Sequence, residues 1–260
     1  VVGSGRQPLQ KDKTQTEDYY LLTLAAIAKE LEYRNAGTVA DVHLAAGLPL
    51  TSFGRDKKAF RDYLCRDGKP VSFRFEGQDY AITISKVSLY PQGYAAVLTQ
   101  SGLLNEPSVI VADIGGWTVD LMRLDNRIPN AATCRSLELG MIRCLDEISE
   151  QIRRSLDLSM TAAQIESVLR SDTSHVNEDA KKIIHLEAER YTKRLLSAIA
   201  ESGLDVRAMP AVFLGGGAAL LKRHVSAADG LCRPVILDDI SLNAKGYEWL
   251  TERLEQKYEQ

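Results

Sequence analysis

The sequence predicts an α/β protein in which mixed sheets are flanked by helices. Segments with the pattern of strands alternate with helical segments along the chain, which is typical of this class. Residues 109–112 (Val-Ile-Val-Ala) form a continuous apolar run, as expected of a strand that is buried on both faces. Apolar residues alternate at Tyr80, Ile82 and Ile84, which indicates a strand of an antiparallel hairpin. Parallel and antiparallel strands are therefore both expected.

The sequence of the first half of the chain predicts a helix, a strand, a second helix and a hairpin, in that order. Residues 14–17 (Thr-Gln-Thr-Glu) have the pattern of a capping box, and apolar residues then recur at helical spacing as far as 35–37. Residues 39–45 have the pattern of a strand. The remaining elements of this half are a helix after the turn at 47–49, a hairpin over 70–84 that turns at Gly77-Gln78, a short strand over 87–90 and a helix whose first turn contains Pro91.

The second half restarts this alternation at the apolar strand 109–112. Two glycines follow it, Gly115 and Gly116, and they predict a tight turn into a partner strand. The later elements are a third strand near 133–139, a helix over about 140–156, a short helix capped at 161–164, a long helix from Asn177, a strand over 211–214, a helix from Ala218, a strand over 235–237 and a C-terminal helix from Ser241.

The composition excludes several functional classes. Thirty-two Lys and Arg residues against 35 Asp and Glu residues give a net charge of −3, so direct contact with nucleic acid is not expected. The longest segment without a charge, residues 87–105, is interrupted by Pro91 and by polar side chains, and the uncharged segment 208–221 is too short to cross a bilayer, so no membrane contact is expected. The 4 cysteines form no CxxC pair, which indicates neither a zinc site nor a disulfide framework and favours a reducing cytoplasm.

The first candidate site is the glycine hairpin, residues 115–118, which directly follows Asp113 at the end of a buried strand. Gly115 and Gly116 allow backbone N–H groups to approach an oxyanion without a Cβ in the way, and Thr118 adds a hydroxyl donor. Asp113 is suited to hold Mg²⁺ through its water shell. The alternative is an ordinary Gly-Gly hairpin turn beside an Asp that bonds its own backbone.

The second candidate site is the glycine loop, residues 215–217, between a predicted strand and the helix that starts at Ala218. Phosphate or adenosine placed on such a loop meets backbone donors and the positive end of the helix. The alternative is a strand–helix connection that is merely rich in glycine.

The two motifs together, in this order and about a hundred residues apart, resemble the actin–Hsp70–sugar kinase superfamily. The resemblance is strongest to the bacterial ParM/StbA group of actin-like plasmid-segregation proteins. It extends to the segments 22–31, 47–49, 90–96 and 243–247, and so over nearly the whole chain. It implies an actin-like ATPase fold of two domains with a nucleotide cleft between them.

The resemblance also implies roles for individual residues. Asp113 and the glycine hairpin, including Trp117, match the loop that holds the β- and γ-phosphates and the Mg²⁺ waters. The glycine loop and Ala218 match the adenosine loop, and Gly140 falls near the ribose. ATP and Mg²⁺ are the implied cofactors.

Gln92 falls where the family places the catalytic side chain that orients the attacking water. It is expected to act together with Asp113 in ATP hydrolysis. The alternative for Gln92 is a residue of the first helical turn that bonds an exposed N–H group.

The resemblance assigns residues 1–105 and 241–260 to a first domain and residues 106–240 to a second, nucleotide-binding domain. The family's first phosphate loop, an Asp-x-Gly hairpin, has no counterpart here, so the first domain is expected to be incomplete at its N-terminus. Hydrolysis is therefore expected of the full-length protein and left open for these 260 residues.

The implied function is ATP-dependent filament formation in plasmid segregation, with copies of the chain and a DNA-bound adaptor protein as partners. Two alternatives stay open: a small-molecule kinase of the same superfamily, and a nucleotide-binding interaction protein without hydrolysis.

Overall fold

The computed structural model describes residues 13–100, 102, 105–170 and 175–258. These residues form two compact units. The first unit comprises the described residues up to Leu48, residues Ser52–Tyr90 and the residues from Thr251 onward. The second comprises Pro49–Thr51 and Pro91–Leu250. This division differs from the predicted domain boundaries, because residues 91–100 and 241–250 belong to the second unit.

The first unit is built on a three-stranded sheet. Its elements are α1 (Asp18–Tyr33), β1 (Val39–Leu48), α2 (Leu50–Cys65), β2 (Val71–Phe75) and β3 (Gln78–Pro91), in the sheet order β1-β3-β2. β2 and β3 are antiparallel, and Phe75 pairs with Gln78. Apolar side chains from α1, α2 and the sheet share one core, which includes Leu24, Phe60, Leu64, Ile82 and Ile84.

Three local features of this unit differ from the sequence predictions. The hairpin turns at Glu76-Gly77, where both residues have positive φ, one residue earlier than predicted. At the predicted capping box, α1 begins at Asp18 and the side chain of Glu17 does not cap it; that carboxylate accepts a hydrogen bond from Arg66 instead. β3 continues without a break to Pro91, so Pro91 ends a strand rather than starting a helix.

The second unit is built on a five-stranded mixed sheet. Its order is β6-β5-β4-β7-β8, in which β4–β5 and β5–β6 are antiparallel and β4–β7 and β7–β8 are parallel. The predicted mixture of strand directions is thus confirmed. The elements are α3 (Tyr94–Leu98), β4 (Ser108–Ile114), β5 (Val119–Asp125), β6 (Ile128–Leu137), α4 (Met141–Leu156), α5 (Ala162–Leu169), α6 (Glu178–Glu201), β7 (Ala211–Leu214), α7 (Gly216–Ser226), β8 (Pro234–Ile236) and α8 (Leu242–Tyr258), whose last residues belong to the first unit.

The central strand β4 is covered on both faces, as its apolar run predicts. Ile110, Ala112 and Ile114 belong to the large core shared with α4, α5, α6 and α7. Val109 and Val111 face a second core formed with α3 and the start of α8. Because α3 and the start of α8 pack on this face of the sheet, residues 91–100 and 241–250 belong to the second unit.

Candidate functional site

The two glycine segments lie at the same edge of the five-stranded sheet. β4 and β7 are parallel neighbours, and Asp113 of β4 pairs with Leu214 of β7. The glycine hairpin after β4 and the glycine loop after β7 therefore begin side by side. At Gly215, φ is +88°, and an added Cβ would lie 2.6 Å from Asp113 Oδ1 and 2.7 Å from the Ile114 carbonyl oxygen. This close approach of backbone to carboxylate requires glycine.

The glycine hairpin has two chemically different sides. Its carbonyl side caps α4, because the Met141 and Ile142 N–H groups donate to the carbonyl oxygens of Gly115 and Gly116, each at 2.9 Å. The N–H groups of Gly116 and Trp117 have no hydrogen-bond partner within the part of the chain that the structure describes. In a trans peptide group the N–H points away from the C=O, so these donors face away from α4. Both residues are exposed. The glycine hairpin thus offers two free backbone N–H donors to an anion.

Gly140 lies directly beneath this hairpin. An added Cβ would lie 2.2 Å from the Trp117 carbonyl carbon and 2.3 Å from the Gly116 oxygen. Its N–H donates to Trp117, and its carbonyl accepts from the Tyr191 hydroxyl at 3.0 Å. The packing of α4 against the hairpin therefore explains the glycine, and the predicted ribose contact stays a prediction.

The glycine loop leads into α7 and leaves one position open. A Cβ on Gly217 would lie 2.3 Å from Ile114 Cγ2, and Ala218 is buried, whereas nothing lies within 4 Å of a Cβ on Gly216. The first helical hydrogen bond runs from the Ala219 N–H to the Gly215 carbonyl. Among the described residues, the N–H groups of Gly216, Gly217 and Ala218 have no partner, as is usual for a first helical turn. Within the glycine loop as the structure describes it, Gly216 is the residue that combines free backbone with open space.

Asp113 stands between the two glycine segments and is held by Asn243. The Asn243 Nδ2 donates to Asp113 Oδ2 at 2.8 Å, and the Asn243 Oδ1 accepts from the Gly93 N–H at 2.8 Å. Burial raises the pKa of the Asp113 carboxyl group, the Asn243 hydrogen bond opposes this rise, and nearby Asp120 adds to it. The site therefore contains a carboxylate whose ionised form depends on its partners.

Asp120 and Asn243 are functional candidates to which the sequence motifs assign no role. Asp120 pairs directly with Asp113 across β4 and β5, so the two carboxylates share one face of the sheet. Asp120 lies two residues after Thr118, the last residue of the glycine hairpin. This is the spacing of side chains on one face of a strand, and it could have identified Asp120. Asn243 lies 130 positions from Asp113 in sequence, and no local pattern reveals that contact.

Gln92 lies in the turn between β3 and α3, not in the first turn of a helix as predicted. Its carbonyl accepts from the Tyr94 N–H at 2.8 Å, and Gly93 has a φ of 72°. A Cβ on Gly93 would lie 3.7 Å from the Asp113 Cβ. The structure thus places the residue next to Gln92 against Asp113.

The carboxylates of this site suit a hydrated Mg²⁺ ion. Two like charges directly opposite each other on neighbouring strands destabilise a sheet unless a cation or a proton compensates. Mg²⁺ binds through one or two carboxylates, retained waters and phosphate oxygens. No group of three or more metal-ligating side chains occurs in the described ranges, so a cage made of protein ligands alone is not formed there.

Thr118 and Trp117 occupy the tip of the hairpin. The Thr118 hydroxyl lies 3.5 Å from Asp120 Oδ2, at the limit of a hydrogen bond, and the Ser136 hydroxyl donates to Asp120 Oδ1 at 2.6 Å. Trp117 is 40% exposed. The hydrogen bond of the Thr118 hydroxyl to Asp120 is therefore weak.

The fold and the two halves of the sequence match known proteins. Residues 2–94 match the family model described as the N-terminal domain of actin-like proteins, and residues 111–227 match that of the C-terminal part of archaeal MreB-like actin homologues. An archaeal actin homolog of Thermoplasma volcanium is 25% identical over 244 residues, which cover 88% of this chain and 74% of the relative. No helix in the described part of the chain has the length and apolarity that a membrane span needs.

Solved structures show the same architecture. A crystal structure of an archaeal actin homolog in complex with ADP superposes with a TM-score of 0.75 at 21% identity, over 95% of this chain and 81% of that one. Bacillus thuringiensis ParM with ATP gives 0.64 at 16% identity, over 96% and 78%. The Alp12 filament structure gives 0.61 at 15% identity, over 93% and 76%. The assignment to the ParM/StbA group in particular stays a prediction, whereas the chain as a whole has the two-domain α/β fold of actin-like proteins.

Proposed function

We propose that the protein binds ATP at this edge of the second unit, assembles into filaments in the ATP-bound state and, at full length, hydrolyses ATP. The observation that carries the proposal is the placement of two sets of backbone donors, unpaired among the described residues, directly after two neighbouring parallel strands, with Asp113 between them. The glycine hairpin offers the Gly116 and Trp117 N–H groups to phosphate oxygens. The open face at Gly216 admits the adenosine.

Similar proteins support this choice of ligand and assembly. One structure with the same fold is a complex with ADP, another contains ATP, and a third is a filament. ATP in place of another nucleotide, and filaments of this chain, are inferred from these neighbours.

In the proposed reaction, a Mg²⁺ ion supplies charge neutralisation for the phosphates when it is bound. Asp113 would hold waters of that ion through its carboxylate oxygens, and Asp120 on the same face would add negative charge to the cation site. The hairpin N–H groups fix the phosphate oxygens, and Gln92 orients the attacking water. Since this chemistry rests on positioning, each residue acts by holding a group in place.

We further propose that the filaments serve plasmid segregation in the cytoplasm, with a DNA-bound adaptor protein at the filament end. The net charge of −3 favours an adaptor over direct contact with DNA. The location and the adaptor rest on the resemblance to the ParM/StbA group.

Sedimentation of the full-length protein tests the proposal. We expect pelleting with Mg²⁺ and ATP and little pelleting with EDTA or without nucleotide. The matched variant is Asp113→Asn, which keeps the size of the side chain but removes its charge. We expect this variant to stay in the supernatant with ATP. Equal pelleting with and without nucleotide would contradict ATP-dependent assembly.

A further inference from the structure

Asn243 connects two parts of the site that are far apart in sequence. It lies in the first turn of α8, and its side-chain amide bonds both the Gly93 N–H and the Asp113 carboxylate. Gly93 is the residue after Gln92. One side chain thus ties the turn that carries Gln92 to the carboxylate at the end of β4.

The orientation of this amide is determined by its partners. A backbone N–H can only donate, so the oxygen of Asn243 must face Gly93. An ionised carboxylate can only accept, so the nitrogen of Asn243 must face Asp113. Neither an ionised Asp nor Leu can make both bonds, although both are close to Asn in size.

The start of α8 is itself firmly fixed. The Asp239 carboxylate accepts from the Ser241 N–H at 2.9 Å and from the Ser241 hydroxyl at 2.6 Å. On the next turn, a Cβ on Gly246 would lie 2.5 Å from the Ala95 carbonyl carbon, so α8 and α3 are in backbone contact. Asn243 therefore projects from a rigid element, as a residue that positions others requires.

We propose that Asn243 is a positioning residue that holds the Gln92–Gly93 turn in register with Asp113. This inference rests on the proposed function, in which Gln92 and Asp113 act on the same nucleotide. A shift of the turn relative to the carboxylate changes where the water is held relative to the metal and its phosphate, while the nucleotide's contacts with the glycine hairpin and the glycine loop remain. The loss of Asn243 should therefore lower the rate more than the affinity.

The test uses three variants of the full-length protein. Asn243→Leu removes both hydrogen bonds, and Asn243→Asp keeps the acceptor for Gly93 but removes the donor to Asp113. Lys245→Met, two residues further along α8, is the matched control, because it removes an exposed ion pair with Asp239 and leaves the amide in place.

Two measurements separate positioning from stability. In ATP hydrolysis we expect kcat to fall roughly 10- to 100-fold in both Asn243 variants, the scale of a misplaced reacting group, while the KM for ATP changes less than about threefold. In hydrogen exchange without nucleotide, we expect the Gly93 amide to lose protection in Asn243→Leu and to keep it in Asn243→Asp. Lys245→Met should match the parent in both measurements.

The outcomes are distinct. A parental kcat in Asn243→Leu, or a Gly93 amide that stays protected in that variant, would overturn the positioning role. A lower melting temperature with kcat and KM unchanged would assign Asn243 to stability alone and would also overturn it. A parent protein that binds no ATP would refute the proposed function instead, and the Gly93 exchange, measured without nucleotide, would still decide whether Asn243 holds the turn.

Discussion

Gly216 and Gly217 are neighbours, yet substitution should affect them in opposite ways. Gly216 faces open space, so Gly216→Val should fold nearly normally and lose nucleotide affinity, because its branched Cβ occupies the proposed adenosine surface. Gly217→Ala should lose about 1–3 kcal/mol of unfolding free energy, because its Cβ would overlap Ile114. Calorimetric titration with ATP and denaturant unfolding measure the two effects. Equal ATP affinity in Gly216→Val and the parent would remove Gly216 from the site.

Substitutions of Asp113 and Gln92 should differ in their effects on ATP binding and on ATP hydrolysis. In the full-length protein, Asp113→Ala should lose Mg²⁺-dependent ATP affinity as well as turnover, because it removes the carboxylate that holds the metal waters. Gln92→Ala should bind ATP nearly normally and hydrolyse it about 10²-fold more slowly, the scale of losing one positioned catalytic group.

Filaments of Gln92→Ala should then form with ATP and persist, which light scattering and phosphate release record together. Disassembly and phosphate release at parental rates would show that Gln92 is an ordinary turn residue.

At the scale of elements, α6 and α7 meet at a pair of histidines. His185 Nδ1 and His224 Nε2 are 3.3 Å apart, within hydrogen-bond distance. Burial lowers the pKa of both imidazoles; Arg223 lowers both further, His185 also lowers that of His224, and Glu189 on α6 acts in the opposite direction on His224. The folded protein therefore binds protons at this pair less readily than the unfolded chain does.

This pair should make the protein less stable in acid. A histidine whose pKa is lowered on folding contributes stability above its unfolded pKa of about 6.5, and this stability is lost as the pH falls through that value. The unfolding free energy from urea titrations should fall between about pH 7 and about pH 5. The fall should be smaller in His224→Gln than in the parent protein. An identical pH dependence in the two proteins would contradict this role.

Local sequence patterns predict some residues of the site and not others. Asp113 and both glycine segments follow buried strands, and such strand–glycine patterns are local signals, so the sequence predicts them. Gln92 was expected inside a helix because Pro91 suits a first helical turn, but pairing within the sheet extends β3 through Pro91. Asn243 reaches Asp113 only through the packing of α8 on the sheet, and tertiary contacts of this kind leave no periodic pattern in the sequence.

At the scale of the whole molecule, the two units should differ in local stability. In the second unit, β4 and β7 are interior strands of a five-stranded sheet and are nearly fully buried. In the first, β1 is an edge strand of a three-stranded sheet and mostly half-buried. Hydrogen exchange should therefore be slower in residues 109–112 and 211–214 than in 39–45. Uniform protection across these segments would contradict the prediction.

The sequence predicted the actin-like fold of the whole molecule but placed the boundary between its parts differently. The mixed sheets follow from the alternation of apolar runs and turns, which each segment carries by itself. Residues 91–100 belong to the second unit because they pack on its sheet, and at Gly93 the approach is so close that a Cβ would lie 3.3 Å from Met122 and 3.5 Å from Val111. Such a contact joins separate elements and cannot be inferred from either one alone.

The capping of α4 by the glycine hairpin has an electrical consequence. The carbonyl of Gly115 and the N–H of Gly116 belong to one peptide group, and the carbonyl of Gly116 and the N–H of Trp117 to the next. Each group accepts a hydrogen bond from the first turn of α4 on one side and presents a donor on the other. The two peptide groups therefore stand in series between the positive end of the α4 dipole and any anion at the hairpin, and hydrogen bonds in series polarise one another.

An anion bound at the hairpin should thus strengthen the hydrogen bonds at the start of α4, although it touches no residue of that helix. We expect exchange of the Met141 and Ile142 amides to slow on addition of Mg²⁺-ATP, with little change at the far end of α4 near Leu156. Unchanged exchange at both amides in protein saturated with nucleotide would show that the two peptide groups do not relay the charge. If they do, an anion bound at the hairpin changes the backbone hydrogen bonds at the start of α4 without movement of any side chain.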